Sequence, residues 1–193
     1  MAKEKKVYVP SWIVWWLFIA GLICIMDATY IILRPRTMKS QGGDLNYLYR
    51  PYNIYVTVDR RYEDLKDDFV KGVSWMNLAE VALNFFAIAM HIKNKAGLVV
   101  LLAFMVSAMT LAKTVLYFLV STPLCSGQHF VNYSDLTRLI FLYIIPNGIW
   151  IVVPLLCMVA TGRMMVDCME SEENNSKEEV SLKKHTTTLC IPF

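Results

Sequence analysis

GVSWMNLAEVALNFFAIAM, residues 72–90, is apolar enough to lie in a bilayer, yet it carries Glu80 at its centre. Asn77 precedes Glu80 by three residues and Asn84 follows it by four. On a helix those offsets place all three polar groups on one stripe. A carboxyl at bilayer depth costs several kcal/mol, roughly, unless it faces a protein interior or water. This stretch therefore demands a bundle with a polar interior, and the rest of the chain is read for the helices that supply it.

Three further apolar blocks have the length to span a membrane at about 1.5 Å per residue. The expected spans are 11–33, 71–91, 96–120 and 137–161. The chain has 193 residues and is 56% hydrophobic, above the usual share for soluble domains. The fold class is all-α: a polytopic membrane protein, a four-transmembrane-helix bundle with an intramembrane pocket. A basic segment, 1–10, precedes the membrane domain at 11–162, and 163–193 reads as a disordered polar tail. Trp12, Trp15 and Trp16 suit an interfacial belt. The first apolar run is too long for the core of a signal peptide, and no small-residue cleavage site follows it.

The formal net charge of +3 says little about partners, and no basic patch interleaved with aromatics suggests nucleic acid. No Cys/His cluster suggests a metal, and no cofactor is expected. Cys24 and Cys157, in apolar segments, read as buried thiols. Cys190-Ile-Pro-Phe193 fits the outline of a prenylation signal, and Asn132 and Asn174 open glycosylation sequons on opposite sides of the membrane. The loop at 34–70 turns at Gly42-Gly43-Asp44 and carries Tyr47, Tyr49, Tyr52, Tyr55 and Tyr62. That spacing suits a loop lying on the membrane surface, one capping a cavity, or an ordinary connection. Four spans put both termini on one side. Equal numbers of Lys and Arg fall on the two sides, so charge does not orient the bundle.

Each span carries a polar or aromatic stripe at helical spacing. The first offers Asp27 and Tyr30, and the second Asn77, Glu80 and Asn84. The third offers Thr110, Lys113, Thr114 and Tyr117, and the fourth Tyr143, Asn147 and Trp150. Measured from the face carrying the long loop, Asp27 and Lys113 lie about 10 Å deep and Glu80 and Asn147 about 15 Å. The stripes thus converge on one level. Asp27 and Glu80 are the candidate acid/base pair. A desolvated carboxylic acid can protonate an olefin or epoxide, a second carboxylate can take a proton back, and Trp150 can stabilise a cation through its π face. The same parts suit a receptor for amphiphilic amines. A pairing of Lys113 with Asp27 or Glu80 works against that partner as an acid.

At these residues the chain resembles the EXPERA superfamily, which includes the emopamil-binding sterol isomerase, its like protein and the sigma-2 receptor. Met26-Asp27 with Arg34-Pro35, Ala79-Glu80, Thr114-Val-Leu-Tyr-Phe-Leu119 and Asn147-Gly-Ile-Trp150-Ile-Val-Val-Pro154 carry the resemblance, in order, across roughly 20–162. It implies a four-helix fold of the endoplasmic reticulum with cytosolic termini and a cavity for sterols or cationic amphiphiles. It places Asp27 and Glu80 at the paired acidic positions, and Asn147 and Trp150 at the amide and aromatic ones. Ile23 stands where the isomerase has a His, Thr114 stands for an Asp, and Lys113 has no counterpart. The expected function is proton transfer on a sterol- or terpenoid-type lipid. The alternatives are non-catalytic binding of sterols or amines and accessory control of lipid trafficking. The expected partners are a hydrophobic small molecule and the bilayer, and the reading is compatible with a homodimer.

Overall fold

The computed structural model describes the backbone of residues 8–188 and the side chains of 8–177. Lys3, Lys5 and Lys6 of the basic segment and the Cys190–Phe193 signal lie outside the described residues. Four helices are long and apolar enough to cross a membrane. They are α1 (Ser11–Ile32), α2 (Asp68–Ile92), α3 (Ala96–Val120) and α4, which begins at Leu136 and passes through a wide π turn at Leu139–Ile144 into Ile145–Thr188.

Local chemistry sets the helix ends. The Asp67 carboxylate caps α2 by accepting from the Val70 N–H at 3.0 Å, and Asp135 caps α4 through the Arg138 N–H at 3.0 Å. Between α2 and α3, Asn94 takes the left-handed conformation at φ 56° and Lys95 donates back to the Met90 carbonyl at 3.0 Å, closing the helix end. The π turn precedes Pro146, whose ring cannot sit against the carbonyl four residues back. Widening the helix there relieves that clash and turns Tyr143 inward, where it is buried.

The expected spans hold to within three residues at the boundaries of α1, α2 and α3. The tail does not follow the expectation of disorder, because the backbone continues α4 as helix to Thr188. Its charges come at helical spacing, as in the 2.6 Å Lys177–Glu173 pair one turn apart.

α1 packs along α2, α3 along α4, and α2 joins α3. Large apolar side chains such as Phe18, Phe86, Leu116, Phe141 and Leu156 face outward, as a bundle in lipid requires. Ile13, Leu17, Ala87, Leu102, Ala103, Val106 and Cys157 form a dry cluster in the half nearer the termini. The other half is dominated by tyrosines: Tyr30, Tyr49, Tyr62, Tyr117 and Tyr143, with Val58, Val70 and Val131.

The segment between α1 and α2 is a folded lid made of single helical turns at Lys39–Gln41, Asn46–Tyr49, Tyr52–Tyr55 and Arg60–Tyr62. Gly43 is required, since a Cβ there would lie 2.1 Å from the Arg36 carbonyl oxygen. One Arg34 nitrogen, Nη1, donates to the carbonyls of Arg61, Tyr62 and Asp64 at 3.1, 3.2 and 2.9 Å. Arg61 is buried with Asp67 in a 2.7 Å ion pair, donates to the Val120 carbonyl at 3.1 Å and lies 3.9 Å over the Phe130 ring. The second loop joins through the Asp59–Val131 bridge and the 2.8 Å bond from Asn132 N to the Val58 carbonyl.

Removing one partner of a buried ion pair leaves the other charge stranded, at a cost of about 3–5 kcal/mol. Asp67→Ala is expected to lose that much stability in denaturation in detergent, and Arg61→Met/Asp67→Asn to recover most of it. A single substitution costing under about 1 kcal/mol would contradict the clamp.

Candidate functional site

Between the four helices and the lid lies a cavity of about 350 Å³. α1 lines it with Ile23, Cys24 and Asp27, and α2 with Val73 and Asn77. α3 contributes Thr110, Lys113, Thr114 and Tyr117, and α4 contributes Leu142, Pro146, Asn147 and Trp150. The lid closes one end with Pro51, Tyr52, Tyr55 and Tyr62. The wall is mostly apolar, with a few convergent polar groups, which is the usual make-up of a small-molecule site.

Asp27, Asn77, Lys113 and Thr110 are joined in one chain that runs through Glu80. Asp27 accepts from three donors: Tyr62 Oη at 2.7 Å and Tyr52 Oη at 3.3 Å on one oxygen, and Asn77 Nδ2 at 2.9 Å on the other. Asn77 Oδ1 in turn accepts from Lys113 Nζ. Lys113 Nζ forms a 2.8 Å ion pair with Glu80 Oε2. Thr110 Oγ1 lies 2.9 Å from the same Glu80 oxygen and 2.9 Å from the Val106 carbonyl, so its one proton is shared between two acceptors. The Asn77 amide is the hinge of the chain: it donates to the α1 carboxylate and accepts from the α3 ammonium.

The two expected acids are therefore not equivalent. Asp27 and Glu80 belong to one hydrogen-bonded chain, but only Asp27 lines the cavity. Glu80 is 1% exposed, turned toward α3 and held there by Lys113 and Thr110. The expectation of a paired acid and base facing one ligand is corrected to a single carboxylate at the wall. Helical spacing put Glu80 on the stripe with Asn77, but one further turn of depth carries it behind Lys113.

Asn77, Thr110, Lys113, Thr114, Tyr117, Asn147 and Trp150 reach the cavity as their stripes suggest. Tyr30, Asn84 and Tyr143 are buried but do not line it. Tyr30 stacks on Tyr52 with ring centres 4.3 Å apart and supports the lid from behind. Asn84 lies a turn deeper than Glu80, where α2 passes close to Gly21 of α1. Tyr143 packs edge-on against Phe118 at 5.3 Å, and its carbonyl accepts from Asn147 Nδ2 at 2.8 Å. Of the loop tyrosines, Tyr52, Tyr55 and Tyr62 cap the cavity, whereas Tyr47 faces outward. Pairing Tyr62 with Asp27, 35 residues away, had no local signal beyond the density of tyrosines in the loop.

Burial and the adjacent Asp27 carboxylate push the Tyr62 and Tyr52 phenols up, so both remain proton donors. At the rim, the Asp59 carboxylate is buried among Tyr117 Oη at 2.6 Å, Tyr55 Oη at 3.0 Å and the Arg61 N–H at 3.2 Å. Burial pushes its carboxyl from 3.8 up to about 6, against the opposing pull of those hydrogen bonds. The folded protein thus holds a proton there that the unfolded chain has released. Stability from this group is present below the unfolded value and is lost as pH rises through the folded one.

Wild type is expected to melt at a higher temperature near about pH 4.5 than near about pH 7 on this account. Asp59→Asn should flatten that slope, and parallel slopes for the two proteins would contradict it.

Among the described residues, no group of three or more His, Cys, Asp or Glu could hold a metal ion. A scan of the chain against protein-family models gives no match, and no curated protein matches it significantly.

Proposed function

We propose that the protein takes a sterol- or terpenoid-type lipid into its intramembrane cavity and acts on it by proton transfer, as an isomerase of the EXPERA kind. The observation that carries this reading is Asp27, a carboxylate in the wall of an otherwise largely apolar cavity that also holds Trp150. A double-bond shift passes through a carbocation, and a carboxylate and an aromatic face lining one cavity lower the energy of such a cation. In this proposal Asp27 in its protonated form gives its proton to the double bond and, as the carboxylate so formed, takes a proton back from a neighbouring carbon of the cation, while the Tyr62 phenol, 2.7 Å away, holds it in place by hydrogen bonding. The cavity volume of about 350 Å³ is at the small end of the usual range for ligand sites, roughly 300–1,000 Å³, and suits a compact, rigid skeleton. The resemblance noted in the sequence supports the substrate class and the endoplasmic reticulum as the compartment, with cytosolic termini.

A specific observation favours a second reading. The Lys113–Glu80 ion pair takes one carboxyl out of the reaction, and Asp27 is ringed by Tyr52, Tyr55 and Tyr62. Aromatic faces around a carboxylate hold an ammonium. In this reading the protein binds a sterol or a lipophilic amine without chemistry and serves lipid homeostasis or trafficking.

Complementation of a sterol-isomerase-deficient yeast strain, with sterol profiling, separates the two. Wild type is expected to shift the ring double bond, and Asp27→Asn to lower the rate by about 100-fold or more. Retained turnover in Asp27→Asn would remove Asp27 from the chemistry. If no sterol is converted but a lipophilic amine binds wild type and not Asp27→Asn, the binding reading replaces the isomerase.

A further inference from the structure

Lys113 is the one cation among the residues lining the cavity, and it is 8% exposed. An ammonium has three N–H donors. Within the protein Lys113 meets two acceptors, Asn77 Oδ1 and Glu80 Oε2. One donor is left over on a side chain more than nine-tenths buried and bordering empty space. A donor of this kind without a partner is expensive in a low-dielectric interior.

Asn147, on α4, supplies the complementary half. Its Nδ2 is used on the Tyr143 carbonyl at 2.8 Å, so the amide is oriented and its Oδ1 stays free of protein donors among the described residues. Asn147 borders the same cavity. The wall therefore offers one unspent donor and one unspent acceptor, on neighbouring helices that pack along each other.

A hydroxyl group has the chemistry to serve both, because its oxygen accepts and its proton donates. A ketone or ether oxygen can only accept, and a carboxylate likewise has no proton to give to Asn147. We propose that Lys113 and Asn147 form a hydroxyl-reading subsite, so that the lipid bound here is an alcohol. This rests on the lipid pocket proposed above and names the polar group of its ligand. Lys113 then has two roles: its ion pair with Glu80 holds α2 to α3, and its remaining N–H orients the ligand. Through that bond the alcohol would fix how the skeleton lies against Asp27.

The test is equilibrium competition binding in nanodiscs with three probes: a sterol alcohol, the corresponding ketone and the corresponding deoxy hydrocarbon. Each hydrogen bond made or lost at a buried site is expected to change affinity by about tenfold. Wild type should rank alcohol above ketone above hydrocarbon. Asn147→Leu should erase the preference of alcohol over ketone and keep that of ketone over hydrocarbon. Lys113→Met/Glu80→Gln removes the charge pair together, which avoids a stranded carboxylate, and should erase the second preference while still binding the hydrocarbon. Equal binding of all three probes to wild type, or an unchanged ranking in both variants, would overturn the hydroxyl subsite and leave the lipid pocket standing. Failure of wild type to bind any of the three would overturn both.

Discussion

The buried ion pair between Lys113 and Glu80 is the constraint that organises this bundle. Neither charge can be left facing hydrocarbon, and at 2.8 Å each is the other's main counter-charge. Their attraction offsets desolvation only if the remaining lone pairs and protons are also satisfied. Asn77 and Thr110 do this in part, Asn77 accepting from Lys113 and Thr110 donating to Glu80 Oε2, while Glu80 Oε1 has no protein partner among the described residues; Asn77 also extends the chain to Asp27 on α1. Three helices are thereby tied at one level by groups that are costly to separate. The apolar contacts in the half nearer the termini have no such directionality, because lipid tails are as apolar as the side chains they would replace.

The lid is held by the same kind of interaction, placed where the membrane ends. Arg34 gathers three carbonyls of the lid, Arg61 pairs with Asp67 at the start of α2, and Asp59 receives phenols from the lid and from α3. Each contact joins the lid to a different helix end. Tyr52 and Tyr62 are consequently held over Asp27 rather than left on a mobile connection. The tyrosine-rich packing fits this position, since a phenol presents an apolar body to the bundle and a hydroxyl to a carboxylate.

The cavity is the seam between these two systems. Its floor is the charge chain, its roof is the lid, and its side walls are apolar faces of α1 and α4. Asp27 belongs to both systems, accepting from the lid through tyrosines and from the chain through Asn77. Movement of the lid would therefore be felt at the carboxylate, and a ligand at the carboxylate would bear on the lid. Glu80, by contrast, acts on the cavity only by holding Lys113.

The sequence by itself determined the four spans, the placing of the two longer loops on one face and both termini on the other, and the stripe of polar residues on each helix. Apolar length and helical periodicity are local properties, so residues such as Asn77 and Lys113 could be placed on an inward face without knowing their neighbours. The charged composition of the tail argued for disorder, and its continuation as helix to Thr188 comes from the structure alone. Only the tertiary structure decided which carboxyl meets the cavity. Helical spacing places Glu80 and Asp27 alike on inward stripes, and the ion pair with Lys113 separates them by holding Glu80 away from the cavity. The lid was likewise beyond local reading. Tyr62 meets Asp27 across 35 residues and Tyr117 meets Asp59 across 58, and no short-range pattern encodes contacts that arise only when chain segments far apart in sequence pack together.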